Sequence, residues 1–420
     1  MRLRQLFFLV LFCAIAIPAL LPAQWTALSS GTERSLHDLH FLDAEYGLAV
    51  GDTSTVLLTT DGGRSWLPVA SGFKEDFLSG IALGRDSLLI AGGNFFNGSL
   101  YRTIDGGFDW DFVGDGIALY EVDELLFALD DQTIYKSFNR GQGWKPSVIL
   151  IATSVILEDL HFPNAQEGYA LGNITGFTGT SAFGFRSNDA GDTWTRLQET
   201  DFPNGNGYTA AAFPYPDTGY VFTNAFVDFQ PGPDNQLLRL TNFRLEETDF
   251  DRSWRFDAEI INSQLPTRIT DAWFFHTLAG FATGADGNIY KTNDGGRTWT
   301  VDYEGSSPLA AIHMVDTETG FAAGAGGVIL SFQGGLSSTG RPRAPTDIRL
   351  FPNPAVDLLT LESDRPEAVI LLLRDAQGRP VRQLSFTGTQ QLSLRGLPAG
   401  WYVAEMRTEE GLFRLPVIVR

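Results

Sequence analysis

Apolar residues in this chain come mostly in short runs, each closed by Gly, Asn or Asp. Leu39-His40-Phe41 leads through Leu42-Asp43-Ala44-Glu45-Tyr46 to Gly47-Leu48-Ala49-Val50-Gly51, which reads strand, turn, strand. The same pattern returns in Leu160 to Gly172, Phe213 to Val221 and Met314 to Ala322. A third apolar run then enters a polar turn, and a fourth begins at a tryptophan. The periodicity predicts units of four antiparallel strands. Two regions break the pattern: the first 23 residues, and the chain beyond a Ser/Gly/Arg/Pro stretch at 337–346.

The polar turn is the most regular repeat. Thr59-Thr60-Asp61-Gly62-Gly63-Arg64-Ser65-Trp66 returns as Thr103 to Trp110, Ser187 to Trp194 and Thr292 to Trp299. Eroded copies end at Trp144 and Trp254. These copies resemble the Asp-box, or BNR repeat, S/T-x-D-x-G-x-T/S-W. In such a turn a short Asp side chain accepts backbone amides, and Gly supplies the left-handed backbone. Asp61, Trp66, Asp105, Trp110, Asp189, Trp194, Asp294 and Trp299 are therefore expected to build the scaffold, with no catalytic role.

Units of this length and strand number predict an all-β fold, a β-propeller. Blades start near Leu36, Leu78, Tyr120, Leu157, Tyr208, Ile269 and Leu309, which makes seven. Six or eight stay open because the third and fifth units are degenerate. The last unit lacks its tryptophan strand. Trp25-Thr26-Ala27-Leu28-Ser29-Ser30-Gly31 resembles Trp66 to Gly72 and is expected to supply it, clasping the ring. Over residues 24–336 the chain resembles the photosystem II stability and assembly factor-like propellers, a family in which the fold is a binding scaffold.

The terminal regions point to export. Arg2 and Arg4, an apolar run from Leu6 to Ile17 and a small residue before Gln24 describe a signal peptide over 1–23, cleaved after Ala23. At the other end, Phe351-Pro352-Asn353-Pro354, Asp375-Ala376-Gln377-Gly378-Arg379 and Leu397-Pro398-Ala399-Gly400-Trp401-Tyr402 fall in order. Residues 347–420 resemble the type A sorting domain of the type IX secretion system, with Phe351 in place of the usual Tyr. Strand alternation there predicts a small C-terminal β-sandwich. The resemblance implies type IX-like secretion machinery as a partner, and a secreted or outer cell-surface location.

Charge and composition narrow the chemistry. Fifty acids against 30 Lys and Arg give a net charge of −20, and loss of the leader removes two more positive charges. A chain so acidic fits neither nucleic acid nor anionic lipid. Cys13, the only cysteine, lies in the leader, so the mature chain forms no disulfide. His37, His40, His161 and His313 recur near inner strands, with His276 close by, and are read as channel packing; no metal and no cofactor is expected. A sialidase needs three arginines for its substrate carboxylate, and Arg34 and Arg268 are the clearest on the ligand face. The alternative is a glycan-active hydrolase using a carboxylate pair.

One feature suggests binding. Insertions between second and third strands carry Phe95 and Phe96, then Phe177, then Phe226 and Phe229. Propeller topology places them on one face, opposite the Asp-boxes. Functional loops gather on one face of a rigid scaffold, so this aromatic rim is the expected site for a protein or polysaccharide ligand.

Overall fold

The computed structural model describes residues 24–94, 97–130, 132–149, 155–176, 179–198, 202, 206–227, 230–247, 252–333, 348–351, 355–363, 369–374, 380–398, 400–408 and 411–419. The chain divides into two compact units, residues 1–336 and 337–420.

The first unit contains, among the described residues, seven four-stranded antiparallel sheets. Their first strands are Leu36–Phe41, Phe77–Ala82, Ala118–Val122, Val155–His161, Asn206–Tyr215, Ile269–Phe274 and Leu309–Met314. Each packs on the next, and the seventh packs back on the first. The result is a closed β-propeller. Second strands lie between neighbouring sheets, so Gly47–Gly51 and Gly280–Gly284 are buried at every position. First strands line the centre and alternate, buried and half-buried.

Aromatic pairs repeat at the sheet interfaces. A ring at the end of one first strand stacks on a ring from the preceding sheet's second strand. Phe41 lies 3.5 Å from Phe321, Phe213 3.9 Å from Tyr169, and Phe274 4.2 Å from Tyr220. Tyrosine hydroxyls then donate onward to the next sheet: Tyr46 to the Arg85 carbonyl and Tyr220 to that of Thr277, both at 2.6 Å. Stacking of this kind adds about 0.5–1.5 kcal/mol to the burial of each ring pair.

The ring closes where the repeat predicts. Gln24–Leu28 pairs with Ile329–Gln333 as the outer strand of the last sheet, with Trp25 opposite Phe332. Trp25 is 2% exposed and meets Phe281 of the sixth sheet edge to face.

The second unit is a β-sandwich. Ile348–Phe351, Leu358–Ser363 and Gly388–Ser393 form one sheet. Pro380–Phe386, Val369–Arg374, Gly400–Thr408 and Gly411–Val419 form the other. One core, with Leu359, Leu361, Leu371, Leu373, Phe386 and Met406, lies between them.

Candidate functional site

The Asp-boxes are turns that consume their own polar groups. In the first, Thr59 Oγ1 donates to Asp61 at 2.9 Å and accepts from Gly63 N at 2.8 Å. Asp61 also accepts the Ser65 amide at 2.9 Å and the Ser65 hydroxyl at 2.7 Å. These Ser65 bonds hold the Asp61 carboxyl below its ordinary range. Asp189 and Asp294 repeat the set through Thr193 and Thr298, and Asp105 keeps the backbone part of it. Tryptophans 66 and 299 stand edge-on against Phe41 and Phe274. Trp110 and Trp194 donate to the carbonyls of Gly107 and Gly191 within their own turns. Asn139 substitutes for Asp in the third sheet, accepting from Ser137 and Gly143.

The copy ending at Trp254 departs from the repeat. The segment lacks the glycine pair, and the third strand of the fifth sheet runs on as Gln230–Glu247, paired with Arg252–Asn262. Trp254 sits on that fourth strand. Its ring lies 4.2 Å from the Arg186 guanidinium of the fourth sheet, and its backbone bridges Leu197. A long hairpin braces the neighbouring sheet where an Asp-box would have packed.

Three further acids line the central channel, each at a bulge in a first strand. Register shifts fall between Leu36 and Asp38, Leu157 and Asp159, and Ile269 and Asp271. An extra residue at a bulge turns a side chain aside from the regular alternation. Each Asp accepts the amide of the following residue, at 2.7 to 2.8 Å. The second oxygen crosses to a neighbouring sheet in all three. Asp38 takes Ser79 Oγ at 2.8 Å and Gly80 N at 3.0 Å, and Asp271 takes Ile312 N at 2.8 Å. Asp159 holds His161 Nε2 at 2.8 Å and the Tyr208 hydroxyl at 2.5 Å.

Electrostatics follow from this arrangement. Burial pushes Asp38 up to about 6 and Asp271 to about 7, and the Asp159 charge adds to both. Burial also opposes the charge on Asp159, but His161, Tyr208 and Tyr120 outweigh it and hold that carboxyl below its ordinary value. A signal for these acids exists in the sequence. Asp38-Leu39-His40-Phe41, Asp159-Leu160-His161-Phe162 and Asp271-Ala272-Trp273-Phe274 share a pattern that begins one residue before the apolar run. Nothing local to that pattern says that the carboxylate spans two sheets.

The histidines divide by role. His40 and His313 meet at 4.8 Å, and His313 lies 5.5 Å from Trp273. Burial drives His40 down to about 3 and His313 to about 4, so both are neutral packing groups at neutral pH. His161 serves Asp159, and His37 Nε2 pairs with Asp52 at 2.6 Å near the channel mouth. His276 lies beyond the sixth first strand, where its Nδ1 accepts the Leu278 amide at 3.2 Å. No cluster of three or more His, Cys, Asp or Glu suited to a metal occurs among the described residues. Arg34 donates to the Thr53 carbonyl at 2.8 Å, and the charge of Arg268 acts on Glu158. The two arginines thus serve separate partners.

The insertions between second and third strands are largely strand. Gly168–Gly176 and Gly179–Ser187 pair to the end, Gly176 opposite Gly179. Thr218–Val227 pairs with Gln230–Glu247 up to Val227 opposite Gln230, and Asn94 lies opposite Asn97 in the second sheet. The expected loops are therefore extended hairpins with two-residue tips. The hairpin of the fourth sheet is tied near its base to the first strand of the neighbouring fifth sheet. Asn173 accepts the Tyr208 amide at 2.7 Å and donates to its carbonyl at 3.2 Å and to Glu158 at 2.7 Å. Phe95, Phe96, Phe177 and Phe229, together with the Phe226 side chain, lie outside the described residues, as does the expected leader.

Comparison with known proteins agrees with this layout. Residues 17–148 match the family model described as Photosynthesis system II assembly factor YCF48. Residues 349–420 match that of the secretion system C-terminal sorting domain. The chloroplastic photosystem II stability/assembly factor HCF136 of Arabidopsis thaliana is 23% identical over 361 residues, which span 71% of this chain and 76% of that protein. The solved structure of YCF48 from Cyanidioschyzon merolae superposes with a TM-score of 0.56 at 22% identity, covering 74% of this chain and 99% of its own. A structure described as YCF48 bound to D1 peptide gives 0.56 at 20% identity, with 76% and 98% covered. At these identities the structural likeness establishes the fold.

Proposed function

From a propeller that resembles the photosystem II assembly factors and ends in a secretion sorting domain, we propose that this chain is an exported binding scaffold whose ligand is a polypeptide. The ligand lies across the face that carries the second-to-third-strand hairpins. The observation that carries this reading is the pair of extended hairpins on the neighbouring fourth and fifth sheets, the first of them braced by Asn173 against the first strand of the fifth. An extended hairpin on a closed ring adds contact surface without loosening the core, since its base is fixed by the sheet. The sequence puts Phe95, Phe96, Phe177, Phe226 and Phe229 on these hairpins, and aromatic side chains dominate the energetics of many interfaces. The solved YCF48 relative with a bound peptide supports a polypeptide over a polysaccharide. The channel carboxylates Asp38 and Asp271 spend their oxygens on bonds between sheets, a structural duty.

The test is a pull-down from the outer membrane and secreted fractions of the source cell, followed by affinity measurement on the captured partner. Replacing Phe177, Phe226 and Phe229 together by Ala is expected to weaken that binding at least about tenfold, as loss of a central aromatic cluster does. Unchanged affinity in a variant with an unaltered melting curve would sink the assignment. Capture of a glycan alone would replace the polypeptide.

A further inference from the structure

The opposite face carries a second feature. The Asp-box turns of the first, second, fourth and sixth sheets lean on the turn between first and second strands of their own sheet. Gly62 N donates to the Glu45 carbonyl, Gly106 N to that of Asp86, and Gly295 N to that of Leu278. These turns share one face, at the other end of the strands from the hairpins. Two positions in the box point outward: the one before the Asp and the one before the last Ser, Thr or equivalent. In the first, fourth and sixth sheets both are polar, Thr60 and Arg64, Asn188 and Asp192, Asn293 and Arg297. The second and third sheets differ. Ile104 and Phe108 occupy both positions in one, and Phe138 the first position in the other.

The repeat is its own control. Five turns share the hydrogen bonds that define the box, so its geometry does not require apolar residues there. Yet Ile104 is 64% exposed, Phe108 88% and Phe138 63%. The two turns are neighbours, because both bond to the Leu83–Ser87 turn of the second sheet. Gly106 N donates to Asp86 O at 3.0 Å, and the Arg140 guanidinium to Leu83 O at 2.9 Å. Three large apolar side chains thus stand exposed on two adjacent turns, and apolar exposure grouped in this way on a soluble protein is often an interaction site.

Charge around the patch selects the partner. Asp86, Asp105, Asp109, Asp111, Asp123 and Glu124 are all exposed around it. Of the nearby cations three are engaged, and Lys145 is exposed. Arg85 pairs with Asp43 at 3.0 Å, Arg140 bonds Leu83, and Lys136 sits beneath Phe138, paired to Asp192 at 2.5 Å. We propose that the Asp-box face of the second and third sheets docks a polypeptide segment in which Leu- or Phe-type side chains alternate with Lys and Arg. Apolar side chains seat on Ile104, Phe108 and Phe138 while the basic ones meet the surrounding acids. A second copy of this chain fits poorly, since its net charge is −20, and an anionic membrane is repelled for the same reason. This surface is separate from the hairpin face.

The experiment uses the full chain and three labelled peptides of about 15 residues, a length typical of segment recognition. One alternates Leu and Phe with Lys and Arg. The second replaces the bases by Glu, and the third replaces the apolar residues by Ser. Anisotropy is expected to show binding of the first alone, weakening with added salt. The variant Ile104→Thr, Phe108→Gln, Phe138→Asn installs residues that stand at the same positions in the other boxes, as Thr60, Gln142 and Asn188. It is expected to bind the first peptide at least about tenfold more weakly with unchanged thermal unfolding. Phe108→Gln alone serves should the triple variant unfold early. The Ala variant of Phe177, Phe226 and Phe229 is expected to leave this binding intact, which separates the two faces. Equal affinity of wild type and variant, or equal affinity for the Glu peptide, overturns the proposal. A wild type that sediments as a dimer where the variant is monomeric assigns the patch to a second copy and likewise overturns it.

Discussion

At the scale of single residues, two groups of acids act in opposite directions. The Asp-box carboxylates, Asp61 the clearest, are stabilised as anions by hydrogen bonds within the turn and lie below their ordinary value of 3.8. Such a group contributes stability above its unfolded pKa and loses it as pH falls. The channel acids do the reverse. Asp38 and Asp271 rise from 3.8 to about 6 and about 7, because burial penalises their charged forms. A raised carboxyl contributes stability that is fully present below the unfolded pKa and is lost as pH rises through the folded value. Their effect therefore falls in the window from about pH 4 to pH 7, and that of the boxes below about pH 4. The melting temperature of Asp38→Asn combined with Asp271→Asn is expected to vary less across pH 4 to 7 than that of the parent. The variant should also melt lower at every pH, since an amide nitrogen now faces a backbone donor. A parallel pH profile for parent and variant would remove these two acids as its cause.

At the scale of elements, the ring depends on one strand contributed from far away in sequence. Gln24–Leu28 completes a sheet whose other three strands begin at Leu309. Without it, Ile329–Gln333 becomes an unpaired edge, and exposed edges template unwanted pairing. Trp25 provides much of the packing, against Phe281 and Phe332. Trp25→Ala is expected to destabilise the propeller by about 3–5 kcal/mol, the cost of emptying a large aromatic site in a packed core. Chemical denaturation monitored by circular dichroism reads it. The fifth sheet shows the same logic in another form. Where its Asp-box is eroded, extended third and fourth strands place Trp254 over Arg186 and so tie the sheet to its neighbour.

At the scale of the whole molecule, the propeller and the sorting domain are separate units. The sorting domain has its own core and its own two sheets, and its family match indicates handling by a secretion system. Deleting residues 347–420 is expected to leave the propeller folded but retained inside the cell envelope. Fractionation of the source cell checks this, and equal surface display with and without the deletion would contradict it. A net charge of −20 favours solubility and attracts basic surfaces over acidic ones.

Much of this architecture was legible in the sequence, for a local reason. Strand alternation, the glycines of the box and the tryptophan that follows it are all written within a dozen residues, so each copy declares its own turn. Trp25 was legible because Trp66 to Gly72 supplied a template for it. The hairpins read as loops because their strand extensions carry glycine and asparagine, poor strand formers that pairing to the tip overrides. Asp38 and Asp271 recur at one position of the repeat, but their partners are not written there, because they reach the next sheet at Gly80 and Ile312 some 40 residues away. The apolar triad was silent, since Ile104, Phe108 and Phe138 look like core residues until the fold leaves them exposed. Sequence alone thus determined the repeating unit and the C-terminal sorting domain, both of which rest on motifs written among near neighbours. Only the tertiary structure decided which carboxylates bridge the sheets and which apolar side chains face outward, because closing the ring is what brings distant units side by side.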